Sequence, residues 1–247
     1  MMKNKDTVFG IRPIIEVIKS GKTIDKLFIQ KGLHNESFAI LWKLVRQNRI
    51  NYKHVPIEKL NRLTTKNHQG VFAFISPIDF HSIEDIVPSL YEEGKVPLIL
   101  VLDRITDVRN FGAITRTADC SNVDCVIVPE QNSAAINSDA MKTSSGALNN
   151  VKICRVWNLK MTLQMLKDSG IQIVSCTEKT NNEIYNINYQ IPTAVILGSE
   201  ENGISNEYLK LSNEKVKIPI LGNIESLNVS VACGVVLYEI VRQRLNL

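Results

Sequence analysis

Three polar, glycine-punctuated stretches hold the residues of this chain that could do chemistry. The first runs Asp103-Arg104-Ile105-Thr106-Asp107-Val108-Arg109-Asn110-Phe111-Gly112 and leads on to Arg116, Thr117 and Ala118. An arginine on the first turns of a helix can grip a phosphate through a bidentate fork. A surface salt bridge from Arg116 to Asp103 or Asp107 is the plainer alternative. The second stretch is Gly198-Ser199-Glu200-Glu201-Asn202-Gly203-Ile204-Ser205. Its glycine spacing mimics a phosphate loop, but Ile204-Ser205 stands where Lys and Ser/Thr are required. Two adjacent carboxylates would also repel a triphosphate. The third stretch, Ile218 to Ala232, passes Pro219 and Gly222 and enters a long apolar helix at Ser226-Leu227-Asn228. Ser226 is placed to cap that helix, whose free N–H groups suit a polar or anionic ligand. Taken alone, an ordinary loop-to-helix junction accounts for it.

Together these stretches supply an Arg, a Glu, a Ser and two Asn. The four histidines, His34, His54, His68 and His81, all precede residue 82. A Ser-His-Asp triad, a His-based zinc site or a His general base therefore cannot be built from the C-terminal part alone. The set suits positioning and electrostatic chemistry on a phosphate-bearing substrate, without naming a reaction.

The elements that must position these residues alternate. Leu98–Asp103 is a continuous apolar run, as in a strand buried on both faces. Strands follow at Cys125–Val128, Ile171–Cys176 and Ala194–Leu197. Helices are expected at Ala113–Cys120, Asn158–Lys167, Ser205–Leu211 and Leu227–Leu245. Such alternation predicts a mostly parallel α/β sheet with its site at the carboxyl ends of the strands. The last helix is apolar on more than one face, so it lies in a core or an interface. Asn181–Asn188 reads as an exposed loop.

The N-terminal part reads as a small α/β unit. Helices are expected at Ile14–Ser20, Ser37–Asn48 and Ile57–Leu63, and strands at Asp25–Gln30, Tyr52–Val55 and Val71–Ile75. In the second helix, Ile40, Leu41, Leu44 and Val45 form the apolar stripe, with Lys43, Arg46 and Arg49 off it. His68-Gln69-Gly70 is a turn with a structural histidine. The resulting domains are 1–77 and 98–247, with 78–97 as a linker carrying a short helix capped by Ser82.

Charge separates the two parts. Residues 1–80 carry 14 Lys and Arg against 6 Asp and Glu, and the remainder 15 against 19. A net of +8 beside a net of −4 points to a front part that grips a polyanion such as nucleic acid. No run of about eighteen apolar residues is present, so no membrane helix is expected. Met1–Asp6 has no apolar signal-peptide core. Cys120, Cys125, Cys154, Cys176 and Cys233 lack C-x-x-C spacing and read as buried thiols, neither disulfides nor a zinc site.

Taken in order, the motifs Asn110-x-Gly112-x-x-x-Arg116-Thr117-Ala118, Gly198-Ser199-Glu200-x-x-Gly203, and Ile218-Pro219 with Ser226-Leu227-Asn228-Val229-Ser230-Val231-Ala232 resemble the SpoU (TrmH) family. These are RNA ribose 2′-O-methyltransferases of the SPOUT superfamily. Gly10-Ile11 and His68-Gln69-Gly70 resemble the ribosomal-protein-like substrate-binding domain of its 23S ribosomal RNA subgroup. The resemblance implies a C-terminal domain with a deep trefoil knot, S-adenosylmethionine (S-adenosyl-L-methionine) as methyl donor, and a homodimer joined by the last helix. The unpaired cysteines point to a reduced cytoplasm, and the residue pattern predicts no metal site. The substrate would be a 23S guanosine, with transfer RNA as the alternative. A non-catalytic RNA-binding assembly protein on the same fold is the reading from another class.

Residue by residue, the resemblance gives catalytic roles to Arg116, Asn110, Glu200, Ser226 and Asn228. It gives donor contacts to Leu197, Gly198, Gly203, Ile218 and Leu227. Arg116 would either take the 2′-hydroxyl proton with help from a substrate phosphate or stabilise the alkoxide electrostatically. Val108 stands where the family usually has Pro, which leaves that loop freer. Lys142–Ala147 also matches a family segment, one that faces RNA.

Overall fold

The computed structural model describes residues 7–48 and 50–246, so Met1–Asp6 and Arg49 of the reading above lie outside it. The chain divides into two compact units, the first running to Asp79 and including Ile136–Ser138, the second holding the rest from Phe80 onward.

The first unit contains β1 (Thr7–Phe9), α1 (Ile11–Lys19), β2 (Ile24–Gln30), α2 (Glu36–Gln47), β3 (Tyr52–Val55), α3 (Ile57–Leu63) and β4 (Val71–Ile75). Its sheet order is β1-β4-β2-β3, with only the β2–β3 pair parallel. Side chains alternate across it as the period of two requires. Leu27, Ile29, Val71 and Ala73 pack with Ile11, Ile14, Leu41 and Val45 of α1 and α2. Phe28 and Phe72 pack on the other face with Leu60 of α3. The α2 stripe is shifted from expectation: Ile40 is 58% exposed, while Phe38 and Trp42 pack beside Leu41 and Val45. His68 is structural. Its Nδ1 accepts from the Gly70 N–H at 3.0 Å, which leaves Nε2 to donate to Asn61 Oδ1 at 2.9 Å.

The second unit contains β5 (Phe80–His81), α4 (Ile83–Glu92), β6 (Leu98–Asp103), α5 (Val108–Cys120), β7 (Cys125–Pro129), α6 (Ser138–Thr143) and β8 (Lys152–Val156). It continues with α7 (Leu159–Asp168), β9 (Gln172–Cys176), β10 (Thr193–Gly198), α8 (Asn206–Leu211), β11 (Glu214–Val216) and α9 (Val229–Arg244). The sheet order is β11-β9-β10-β6-β7-β8-β5, and every pairing is parallel. The chain runs outward from β6 through β7 to β8, then crosses to β9 and returns with β10 beside β6. The switch point of the sheet therefore lies between β6 and β10, where their carboxyl-end loops open a crevice. Side chains of α4, α7 and α8 share one core with Ile99, Val101, Ile127 and Ile196. On α5 and α9, which pack on each other, Phe111, Ile114, Val236, Leu237 and Ile240 are buried.

Several expectations change here. Residues expected to be a linker are built into the second unit from Phe80 onward. Phe80 and His81 pair with β8, and Ile83, Ile86, Val87 and Leu90 of α4 enter its core. Ser82 does cap α4, accepting from the Asp85 N–H at 3.2 Å. α5 starts at Val108 rather than Ala113, because Asp107 accepts from the N–H groups of Arg109 and Asn110, each at 2.8 Å. Val108 thus opens a helix whose entry the Asp107 cap fixes, so the missing Pro leaves no loose loop there. α9 starts at Val229, later than expected. Ile184 is fully buried inside the Asn181–Asn188 stretch, which is not wholly an exposed loop. Cys120 is exposed, unlike the buried Cys125, Cys154 and Cys233.

Candidate active site

The crevice between β6 and β10 is built on Asp103, the last residue of β6. It is only 2% exposed, and a carboxylate so placed must be fully paired. Its Oδ2 accepts from the Ser205 N–H and hydroxyl, both at 2.7 Å, and from Arg104 Nη2 at 3.2 Å. Oδ1 accepts from Arg104 Nε at 3.1 Å. The same Nη2 also donates to the Gly203 carbonyl at 3.1 Å. This clamp ties the end of β6 to the α8 end of the β10–α8 turn. The phenol of Tyr208 on α8 is raised, chiefly by burial and then by the Asp103 charge, so it stays neutral.

The turn itself explains two glycines. A Cβ at Gly198 would stand 2.2 Å from the Gly203 carbonyl carbon, because the chain closes back on itself here. Gly203 has φ of +60°, and its N–H donates to the Ser199 carbonyl at 2.8 Å. On α5, a Cβ at Gly112 would meet Thr143 Cβ at 2.6 Å. Thr143 and the buried Ser144 therefore pack against α5, and within Lys142–Ala147 it is Lys142 and Ser145 that stay exposed.

Glu200 projects from that turn and meets residues from both other motifs. Asn110 Nδ2 donates to Glu200 Oε1 at 3.1 Å, and Asn228 Nδ2 donates to the same oxygen at 2.6 Å. Asn228 Nδ2 also reaches Asn110 Oδ1 at 3.1 Å. Asn228 is the N-cap of α9, its Oδ1 accepting from the Ser230 N–H at 3.0 Å and hydroxyl at 2.6 Å. Asn110 lies in the first turn of α5. Two helix N-termini therefore meet one carboxylate, which their positive ends stabilise. A cleft of about 390 Å³ opens here, lined by Arg104, Asp107, Asn110, Glu200, Glu201 and Val229 among others.

Of the ten expected site residues, Asn110, Glu200 and Asn228 are joined by hydrogen bonds, and Gly198 and Gly203 close on each other in the turn that carries Glu200. Ser226 is exposed and does not cap α9; Asn228 takes that place. Arg116 lies in the third turn of α5, not the first. Six residues past Asn110, it points about 120° away around the helix and about 9 Å along it. It is exposed, and among the described residues it has no hydrogen-bond or ion-pair partner. The alternative salt bridge fails because Asp103 is taken by Arg104 and Ser205, and Asp107 by its helix. Leu197 is a core side chain, 2% exposed, so only its backbone faces the crevice edge. Ile218 is half-buried, while Leu221 and Ile224 are 99% and 78% exposed. Sequence reasoning missed the Asp103–Arg104–Ser205 clamp. Its signal was a charged pair directly after a fully apolar strand.

The model of the SpoU rRNA methylase family matches residues 97–238, the whole of this crevice and its three motifs. The chain belongs to the SpoU family of RNA methyltransferases. A second model, for substrate binding by RNA 2′-O ribose methyltransferases, matches residues 7–81. This SpoU chain is 34% identical to a Staphylococcus saprophyticus protein named for the TrmH family of tRNA/rRNA methyltransferases, over 96% of the chain and 95% of that protein. Among solved structures it is similar to the A. aeolicus TrmH/SpoU tRNA modifying enzyme, with 32% identity, TM-score 0.57, and 66% and 84% of the two chains covered. It shares its fold with the SpoU methyltransferase AviRb from Streptomyces viridochromogenes in complex with AdoMet. That likeness has 24% identity, TM-score 0.62, and covers 97% of this chain and 90% of the other.

No helix among the described residues is long and apolar enough to cross a membrane. Among the same residues no group of three or more His, Cys, Asp or Glu could hold a metal ion.

Proposed function

We propose that this SpoU-family chain methylates a ribose 2′-hydroxyl of 23S ribosomal RNA, at a guanosine, using S-adenosylmethionine. The observation that carries the reading is the Asn110–Glu200–Asn228 network, which joins all three family motifs at one crevice. The ribosomal assignment is supported by the family described for rRNA and by the basic front unit. The likeness to the tRNA modifying enzyme covers only 66% of the chain.

The residues fit the donor. No hydrogen bond joins residues 219–227 to other described residues, so their backbone N–H and C=O groups are left for a ligand. Ile220, Leu221, Ile224 and Leu227 expose apolar side chains that suit the flat face of an adenine. Ile218, Leu227, Gly203 and the backbone at Leu197 and Gly198 would hold it, inside the trefoil knot typical of the family. When bound, the donor supplies an electrophilic methyl group on a cationic sulfur.

The remaining roles fall to the chain's own groups. Asn110 and Asn228 fix Glu200 through Oε1. Glu200 Oε2 accepts nothing among the described residues and is left to orient a ribose hydroxyl or the donor's amino group. Ser226, beside them in sequence, adds a hydroxyl to the same loop. Arg116, free of carboxylates, would hold a substrate phosphate and offset negative charge growing on the 2′-oxygen. Exposed Val231 and Tyr238 on α9 suit pairing with a second copy, and a cytoplasmic setting follows from the substrate.

Purified protein with labelled donor should label bulk ribosomal RNA and not transfer RNA. Ribose-methylation mapping of total RNA with and without the gene should then show one lost position in 23S RNA. Label confined to transfer RNA would overturn the substrate. Donor binding without transfer to any RNA would favour an assembly protein.

A further inference from the structure

The first unit holds a cleft that the methyl-transfer site does not use. It measures about 450 Å³ and is lined by Leu33, His34, Asn35, Phe38, Trp42 and His54, among others. These residues come from the loop after β2 and from α2 and β3. Three of its lining residues, Phe38, Trp42 and His54, carry rings, and Tyr52 packs beside them. Phe38 stacks on Trp42 with centroids 5.9 Å apart and planes 30° apart. Tyr52 meets Trp42 edge-on at 4.9 Å, and His54 lies 6.1 Å from Trp42 and 5.5 Å from Tyr52.

A core cluster of this size would be sealed, and this one is open. Tyr52 and His54 are exposed, and Phe38 and Trp42 are only half-buried. The unit completes its core without their outer faces, on Leu27, Ile29, Leu41 and Val45. Polar groups surround the rings. Asn35 spends its Oδ1 on the Phe38 N–H at 2.7 Å, which leaves its amide N–H₂ to donate. The Arg46 guanidinium lies 5.9 Å from the Trp42 centroid. Residues 1–80, the stretch that holds it, carry 14 Lys and Arg against 6 Asp and Glu.

An aromatic surface with a cation at its margin and hydrogen-bonding edges is the chemistry that holds an unpaired nucleobase. We infer that this cleft is a base-stacking subsite for one unpaired nucleotide of the RNA substrate. The inference rests on the RNA-methyltransferase reading and deepens it: bases inside an A-form duplex are already stacked, so the subsite selects loops and bulges. An apolar peptide is the competing occupant. The unit's charge and its match to a substrate-binding family favour RNA.

The full chain has two tryptophans, so Trp157→Phe leaves Trp42 as the single reporter. Titration with an unpaired RNA of about ten nucleotides should quench Trp42 emission, and the same strand annealed to its complement should not. Tyr52→Ala and His54→Ala should each weaken single-strand binding about tenfold, with Tyr52→Phe close to the parent. Circular dichroism checks the fold, which exposed side chains leave intact. Three results overturn the subsite: a strand retained on filters with Trp42 unchanged, equal quenching by strand and duplex, or alanine variants that bind as the parent does. Quenching by an apolar peptide and not by RNA overturns it too. Methyl transfer measured in parallel separates the failures. Transfer with a silent Trp42 sinks the subsite alone, whereas no transfer and no RNA retained sinks the function with it.

Discussion

Asn228 Nδ2 stands 2.6 Å from Glu200 Oε1. The donor caps α9 and the acceptor rises from the turn that closes β10, so one contact joins two motifs 28 residues apart. Asn110 completes the triangle from α5. The site is thus a meeting of two helix starts on a carboxylate.

That triangle is the first thing to break. Glu200→Gln puts an N–H₂ among the amide donors, and methyl incorporation should fall roughly 100-fold through misplacement of the crevice. Glu200 is exposed, so Tm should move by no more than about 2 °C. An unchanged rate would remove Glu200 from the machinery.

The two candidate caps of α9 separate in stability. Asn228→Ala should cost about 1 kcal/mol, a fall in Tm of about 2–4 °C for a chain of this size. Ser226→Ala should leave Tm unchanged. Thermal unfolding of both variants reads the difference, and equal losses would contradict the observed cap.

Arg116→Ala should lower methyl transfer by about 10² to 10³, with filter-retained RNA largely unchanged. Arg116→Lys should recover little, because the ammonium lacks the bidentate fork. Recovery to the parental rate with Lys would show that a point charge suffices.

Gly198→Ala drives a Cβ to 2.2 Å from the Gly203 carbonyl carbon, where the obstacle is backbone. The expected cost is about 1–3 kcal/mol, with loss of donor affinity in calorimetry. Gly222→Ala is the control: nothing lies within 4 Å of its added Cβ, so stability should hold.

Glu239 on α9 supplies the pH dependence. Arg242 donates to both its oxygens, at 2.8 and 2.9 Å, and Gln243 to Oε1 at 2.8 Å. The Arg242 hydrogen bond, first among its causes, holds the carboxyl below the ordinary range. A depressed carboxyl adds stability above its unfolded value, near 4.5, and that stability is lost as pH falls below it. Glu239→Gln should lower Tm by a few degrees at neutral pH and remove part of the acid sensitivity. A parallel acid profile in both proteins would exclude this residue.

Much of this was legible because it depends on local order along the chain. Leu98–Leu102 reads as a buried strand because its residues are continuously apolar, and all five are buried. Tyr52–Val55, Ile57–Leu63 and Val71–Ile75 begin and end where their turn residues predict. Where two local signals competed, the reading slipped. Ile40 and Phe38 both fit a helical stripe, and only the position of the sheet under α2 decides between them. β5 has two residues and no periodicity, so nothing in the sequence separates it from a linker until β8 lies beside it.

The sequence by itself determined the α/β class, the three motifs and their polar residues, and hence the family. Those depend on residue types and on periods of two and 3.6, which survive in one dimension. Only the tertiary structure decided which motif residues act together. On a line of text Ser226 reads as the cap. Asn228 becomes the cap because Glu200 and Asn110, 28 and 118 residues distant, take its amide while Ser230 takes its oxygen. Asp103 likewise meets Ser205 across 102 residues because β10 returns beside β6. Hydrogen bonds require atoms within about 3 Å, and sequence distance carries no such information.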